Sequence, residues 1–152
     1  PDGPTILNVL GSYRNYYAEN ERTVLTGDYT AQHAELFDLM QAGQQLALDQ
    51  IKPGVACADV DSAVQDFFTG EGVGDYIRHR AGHGFGVRWH ERPYTDEGSH
   101  DYYQENMVIS VEPGLYVDGV GGFRHCDTVL VTRHGSENLT VSTPKLRAAM
   151  TF

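Results

Sequence analysis

The chain is short of lysine, short of cysteine and without a long apolar run. Only Lys52 and Lys145 are lysines among eleven basic residues, against 21 acidic ones and a net charge of −10. That balance excludes the basic footprint of a nucleic-acid binder. No apolar stretch approaches the roughly 20 residues of a bilayer-spanning helix, so a membrane partner is not expected. Two cysteines, Cys57 and Cys126, cannot make a disulfide framework, which leaves a reducing, cytoplasmic setting as the expectation. There is no initiator methionine, and Pro1-Asp2-Gly3-Pro4 is a turn-type opening rather than a charged leader before an apolar core. The chain is therefore read as a piece that begins inside something larger. What is present is globular: 152 residues, 40% hydrophobic and 21% charged, suit one ordinary domain.

The pattern along the chain changes period. Residues 5 to 26 are rich in β-branched and aromatic residues and predict strands. Asp28 or Thr30 can cap a helix to about Ile51, carried by Leu36, Phe37, Met40, Ala47 and Leu48. Lys52-Pro53-Gly54 stops it. Ala58 to Phe68 predicts a second amphipathic helix with Gly70 as its cap. A short strand is expected around Tyr76 to Arg80, and a polar loop from Arg92 to Gln104. Met107–Glu112, Leu115–Val117 and Gly122–Thr132 follow as strands. Strands, two helices and more strands predict an α+β fold with helices on one face of an antiparallel sheet.

Chemistry concentrates in three places. His83 and His90 lie seven apart in GHGFGVRWHERP, where glycines permit close backbone approach. Histidine shuttles protons near neutral pH and ligates metals, yet the spacing alone equally describes a solvated loop. Glu112 ends an apolar strand. Alternation puts it on one face with Val108 and Ser110, where a buried carboxylate must be paired, ligating or catalytic, unless the strand end is simply exposed. Glu19 and Glu21 share a face, as do Arg124, Cys126 and Thr128. A sheet pooling Glu21, Glu112 and Arg124 with His83 would make a polar pocket suited to acid–base work.

Three segments, LNVLGSYRNYYAENERT, GHGFGVRWHERP and ENMVISVEPGLYVDGVGGFRHCDTVLVT, together resemble the pita-bread family of methionine and Xaa-Pro aminopeptidases, prolidases and creatinase. The resemblance implies a curved antiparallel sheet with helices on its outer face. Residues 1–152 would then form an incomplete catalytic domain, with its front helices and hairpin missing. It implies a hydrolase that cleaves a C–N bond. The peptidase members hold two divalent metals on Asp, Asp, His, Glu and Glu. Here these positions carry Asn8, Glu19, His83, Glu112 and Cys126, so two carboxylates are lost.

The first segment is similar to creatinase, which works without metal. The leading expectation is accordingly a creatinase-like enzyme with no cofactor. Glu21 and Glu112 would grip a cationic substrate group, His83 and His90 would serve as polar or proton-carrying residues, and Arg124 would orient a carboxylate. Tyr16 and Arg88 would bind substrate. The alternative is a divergent Xaa-Pro dipeptidase or aminopeptidase with Mn or Co on a degenerate site of Glu19, His83, Glu112 and Cys126. A non-catalytic binding module is the third reading. Expected partners are a small molecule or short peptide, the missing N-terminal part of the same chain, and a second copy in a homo-oligomer such as a dimer.

Overall fold

The computed structural model describes residues 2–141. Two long strands, β1 (Gly3–Tyr13) and β2 (Tyr16–Thr26), form an antiparallel hairpin. Its tight turn places Arg14 and Asn15 at positive φ. Helices α1 (Ala31–Gln50) and α2 (Cys57–Gly70) follow. Seven short strands follow among the described residues: β3 (Gly82–Gly84), β4 (Glu91–Thr95), β5 (Val108–Val111), β6 (Gly114–Val117), β7 (Gly121–Arg124), β8 (Asp127–Thr132) and β9 (Gly135–Asn138). Their main sheet is antiparallel, in the order β4-β3-β5-β8-β9, and β6 pairs with β7. The hairpin joins the main sheet where Glu21 and Cys126 exchange backbone hydrogen bonds of 3.0 and 3.1 Å. The α+β expectation holds.

Strand alternation divides this sheet by chemistry. Ile109, Val111, Val129 and Val131 join Leu36, Phe37, Met40, Ala47, Val60, Val64 and Phe68 in one core. Ser110, Glu112 and Thr128 belong to the opposite face. α1 starts at Thr30, whose hydroxyl accepts from His33 N while the His33 ring accepts from Thr30 N. This reciprocal cap satisfies two otherwise orphaned donors. Gln44, fully buried on α1, donates to the carbonyls of Val111 (2.8 Å) and His125 (3.2 Å). It thereby fixes the helix to the strand ends beside Glu112 and Cys126. On α2 the buried Asp61 carboxylate accepts from Ala81 N at 2.8 Å, which holds the approach to His83. Burial raises the Asp61 pKa, against the hydrogen bonds from Ala81 and Gln65.

The structure corrects several element boundaries. The expected strand at Tyr76–Arg80 is instead a 3-10 turn, Gly74–Tyr76, and irregular backbone, with the strand starting at Gly82. Only the missing Cβ lets that strand lie against β5: a Cβ on Gly82 would sit 2.2 Å from Ser110 O. The expected loop from Arg92 opens with β4, at the sheet edge, where Pro93 breaks no central ladder. The single strand Gly122–Thr132 is interrupted between Arg124 and Asp127, where the chain turns to the hairpin. Gly70 lies within α2, and Glu71 takes the capping position.

Candidate active site

Four separated segments deliver one polar cluster. β2 supplies Glu19 and Glu21, β3 supplies His83, the end of β5 supplies Glu112, and β7–β8 supply Arg124 and Cys126. Glu19, Glu21, His83, Glu112 and Cys126 are all buried. Ligand atoms of Glu19, His83 and Glu112 lie within 4.8 Å of one another, as do those of Glu21, Glu112 and Cys126. A cavity of about 460 Å³ opens onto Glu19 and Glu112 of this cluster and is also lined by Asn8, His79, Arg80, Trp89, His90 and Arg124.

The His83 ring is oriented by its neighbours. Nδ1 lies 3.1 Å from Gly84 O. A carbonyl only accepts, so Nδ1 carries a proton, and in the neutral form of the ring the lone pair is on Nε2. Nε2 lies 3.1 Å from Glu112 Oε1 and has no other partner among the described residues. With the ring protonated the two groups form an ion pair; with Nε2 deprotonated they are two donor atoms that a bound cation would bridge. The strand carrying His83 is set by its backbone N, which donates to Ser110 Oγ at 2.9 Å.

The carboxylates are unequal. Burial alone would raise Glu112, but His83, Arg124 and His79 together hold it below the usual range. At Glu21 burial outweighs its ion pair with Arg124, with Glu112 and Glu19 adding repulsion, so its pKa is raised. Asn8 Nδ2 donates to Glu19 Oε1 (2.6 Å) and also to Glu21 Oε1. Trp89 Nε1 donates to Glu19 Oε2 at 3.0 Å. His90 stacks on His83 with centroids 3.8 Å apart. Its Nδ1 faces an Arg80 guanidinium nitrogen at 3.3 Å. Burial lowers its pKa, helped by His83 and Arg80.

Of the residues singled out from sequence, the structure brings together Glu19, Glu21, His83, His90, Glu112, Arg124 and Cys126. It leaves two outside. Tyr16 is the exposed first residue of β2 and borders a separate cavity with Tyr13 and Phe85. The hairpin turn carries it past the site. Arg88 is exposed in the loop before β4, its backbone tied to Glu91. Sequence reasoning missed His79 and Arg80, which lie just upstream of GHGFG, and missed the Trp89 contact with Glu19. His79 Nδ1 lies 2.8 Å from Arg80 O and its Nε2 2.8 Å from the Tyr116 hydroxyl.

The curved sheet, outer helices and a histidine among carboxylates define a pita-bread domain. A profile of metallopeptidase family M24 matches residues 1–133, and the chain belongs to that family. It is 41% identical over 128 residues to an uncharacterized peptidase of Staphylococcus saprophyticus, covering 84% of this chain and 37% of that protein. It is 33% identical over 139 residues to the Xaa-Pro dipeptidase of Pyrococcus horikoshii, covering 91% and 40%. The crystal structure of the P. horikoshii prolidase superposes with a TM-score of 0.88 at 30% identity, over 95% of this chain and 41% of that one. The chain thus spans about two fifths of the length of these relatives.

Membership of a metallopeptidase family overturns the expectation of an enzyme with no cofactor and no metal ligands. The donor atoms agree. Glu19, His83 and Glu112 offer two carboxylates and an imidazole, a set that suits a divalent ion such as Mn, Co or Zn.

Proposed function

We propose that this chain is part of the catalytic domain of a metal-assisted Xaa-Pro peptidase, of the dipeptidase or aminopeptidase kind. The single observation that carries the reading is the convergence of one imidazole and two carboxylates in a buried site, with ligand atoms of Glu19, His83 and Glu112 within 4.8 Å of one another. Similarity to Xaa-Pro dipeptidases supports the substrate class. In this reading residues 1–152 are an incomplete domain, and a short peptide is the substrate.

Glu19, His83 and Glu112 would hold the ion. When bound, it supplies Lewis acidity toward the scissile carbonyl and a lowered pKa for water. The protein's own groups arrange the rest. His90, whose pKa is lowered by burial and by its neighbours His83 and Arg80, lies beside the ligand set where it can accept and return a proton. Arg80 fixes the ring by holding Nδ1. Arg124 is anchored on Glu21; although burial opposes its charge, Glu21, Tyr116 and Glu112 keep it firmly protonated. It can therefore attract a substrate carboxylate or a developing oxyanion. Trp89 shields one edge of Glu19 from solvent.

The test uses the full-length protein, stripped with chelator and reloaded with Mn or Co. Hydrolysis of Xaa-Pro dipeptides or Xaa-Pro-led peptides should disappear on stripping and return on reloading. His83→Ala should abolish metal binding while His90→Ala lowers kcat with metal retained. Full turnover after stripping would refute the proposal, as would failure to cleave any proline-containing peptide.

A further inference from the structure

The family resemblance implies a second metal position, and Asn8 and Cys126 stand there in place of the carboxylates it implies. The residues there do not form an open ligand set. The Asn8 side chain spans Glu19 and Glu21, donating from Nδ2 to both. Carboxylates accept only, so the amide must present nitrogen to them and turn its oxygen away. Arg124 places a guanidinium nitrogen on the same oxygen of Glu21. Cys126 is fully buried against Glu21 and Glu112 and carries a thiol where the family resemblance implies a glutamate. Binding there would require Asn8 to flip and Arg124 to leave its carboxylate, and Cys126 would offer sulfur in place of a hard oxygen donor.

The charges agree with the geometry. Glu19, Glu21 and Glu112 contribute three formal negative charges, and Arg124 one positive charge. One divalent cation brings the cluster to neutrality. A second would leave an uncompensated double positive charge in a buried site, which is costly. With carboxylates at positions 8 and 126 the ledger would instead balance two ions.

Resting on the metallopeptidase reading, we propose that this site is mononuclear: it takes one divalent cation on Glu19, His83 and Glu112, and the Arg124 guanidinium with the Asn8 amide stands where a second ion would bind. Arg124 is then a structural cation in the site as well as a substrate-facing one.

The experiment is metal stoichiometry on the stripped, full-length protein. Isothermal titration with Mn and elemental analysis after desalting should each give a single equivalent. The Mn-loaded protein should show the paramagnetic resonance of an isolated ion, without exchange coupling between two. Asn8→Asp combined with Cys126→Glu should admit a second equivalent and the coupled spectrum, with circular dichroism confirming the fold. Two equivalents in the unmodified protein would overturn the mononuclear proposal and leave the peptidase reading intact. No tight metal at all would overturn both. A single equivalent that persists in the folded double variant would refute the assignment of Asn8 and Cys126 as the cause.

Discussion

Gly82→Ala tests how the backbone holds the site. An alanine Cβ at this position would lie 2.2 Å from Ser110 O, and ordinary contact begins near 3.4 Å. Both atoms belong to the paired strands β3 and β5, so no side chain can swing aside. The strands must separate by about 1 Å. That shift stretches the His83 N to Ser110 Oγ bond of 2.9 Å and moves His83 relative to Glu112. Overpacking of this kind costs about 1–3 kcal/mol, and a misplacement of about 1 Å at a reacting centre costs on the order of 100-fold in rate. Urea denaturation and Mn titration should therefore show reduced stability and at least tenfold weaker metal binding. Gly43→Ala is the control. Its Cβ would meet Phe68 Cζ at 2.4 Å, behind the sheet, against a ring that can tilt. A helix-propensity gain of about 1 kcal/mol offsets part of that clash. It should lower stability less and leave metal affinity unchanged. If Gly82→Ala binds Mn like wild type with a stability change below about 0.5 kcal/mol, the argument from strand contact is wrong.

Other outcomes follow from buried charge. Asp127→Ala removes the partner of the buried Arg22 guanidinium, 2.6 Å away, and an acceptor for Gln44 and Thr140. It should cost about 3–5 kcal/mol in urea unfolding, and a loss under about 1 kcal/mol would contradict that. Burial holds His79 below its ordinary 6.5, against the Arg80 carbonyl. The unfolded chain then binds the extra proton, so stability is fully present above 6.5 and is lost as pH falls through the lower folded value. His79→Phe should flatten, without abolishing, the fall in unfolding free energy from about pH 7 to about pH 5, since His90 has the same sign; an unchanged slope would exclude His79. Burial and Asp101 push the Cys57 thiol up to about 12, and Cys126 is raised as well by burial and nearby carboxylates. Neither should react with a disulfide reagent before unfolding, and stoichiometric labelling of the native protein would show otherwise.

The helices were legible because their signals are local. Thr30 caps α1 and Leu36, Phe37 and Met40 mark its buried face at helical spacing. The same holds for β5, where Ile109 and Val111 alternate with Ser110 and Glu112. The short strands β4 and β9 pair with the strands just before them but were not legible, since Pro93 and the polar run Gly135–Asn138 carry no alternating apolar signal; the interruption at His125–Cys126 was not legible because its partner, Glu21, lies far away in sequence. Residue chemistry nominated His83, Glu112, Glu19 and Glu21, and family resemblance set them in one pocket. The expectation of no metal came from counting lost carboxylates, without the convergence of Glu19, His83 and Glu112 in view.

By itself, the sequence determined the α+β order, the two helices and the identity of the groups available for chemistry, because capping, periodicity and side-chain type are properties of short segments. Only the tertiary structure decided what those groups do to one another. It put Arg124 on Glu21, turned the Asn8 amide toward two carboxylates and left His83 Nε2 facing Glu112. Those contacts join residues up to 103 positions apart. Their distances follow from how β2, β3, β5 and β7 are packed, and no local pattern encodes that packing.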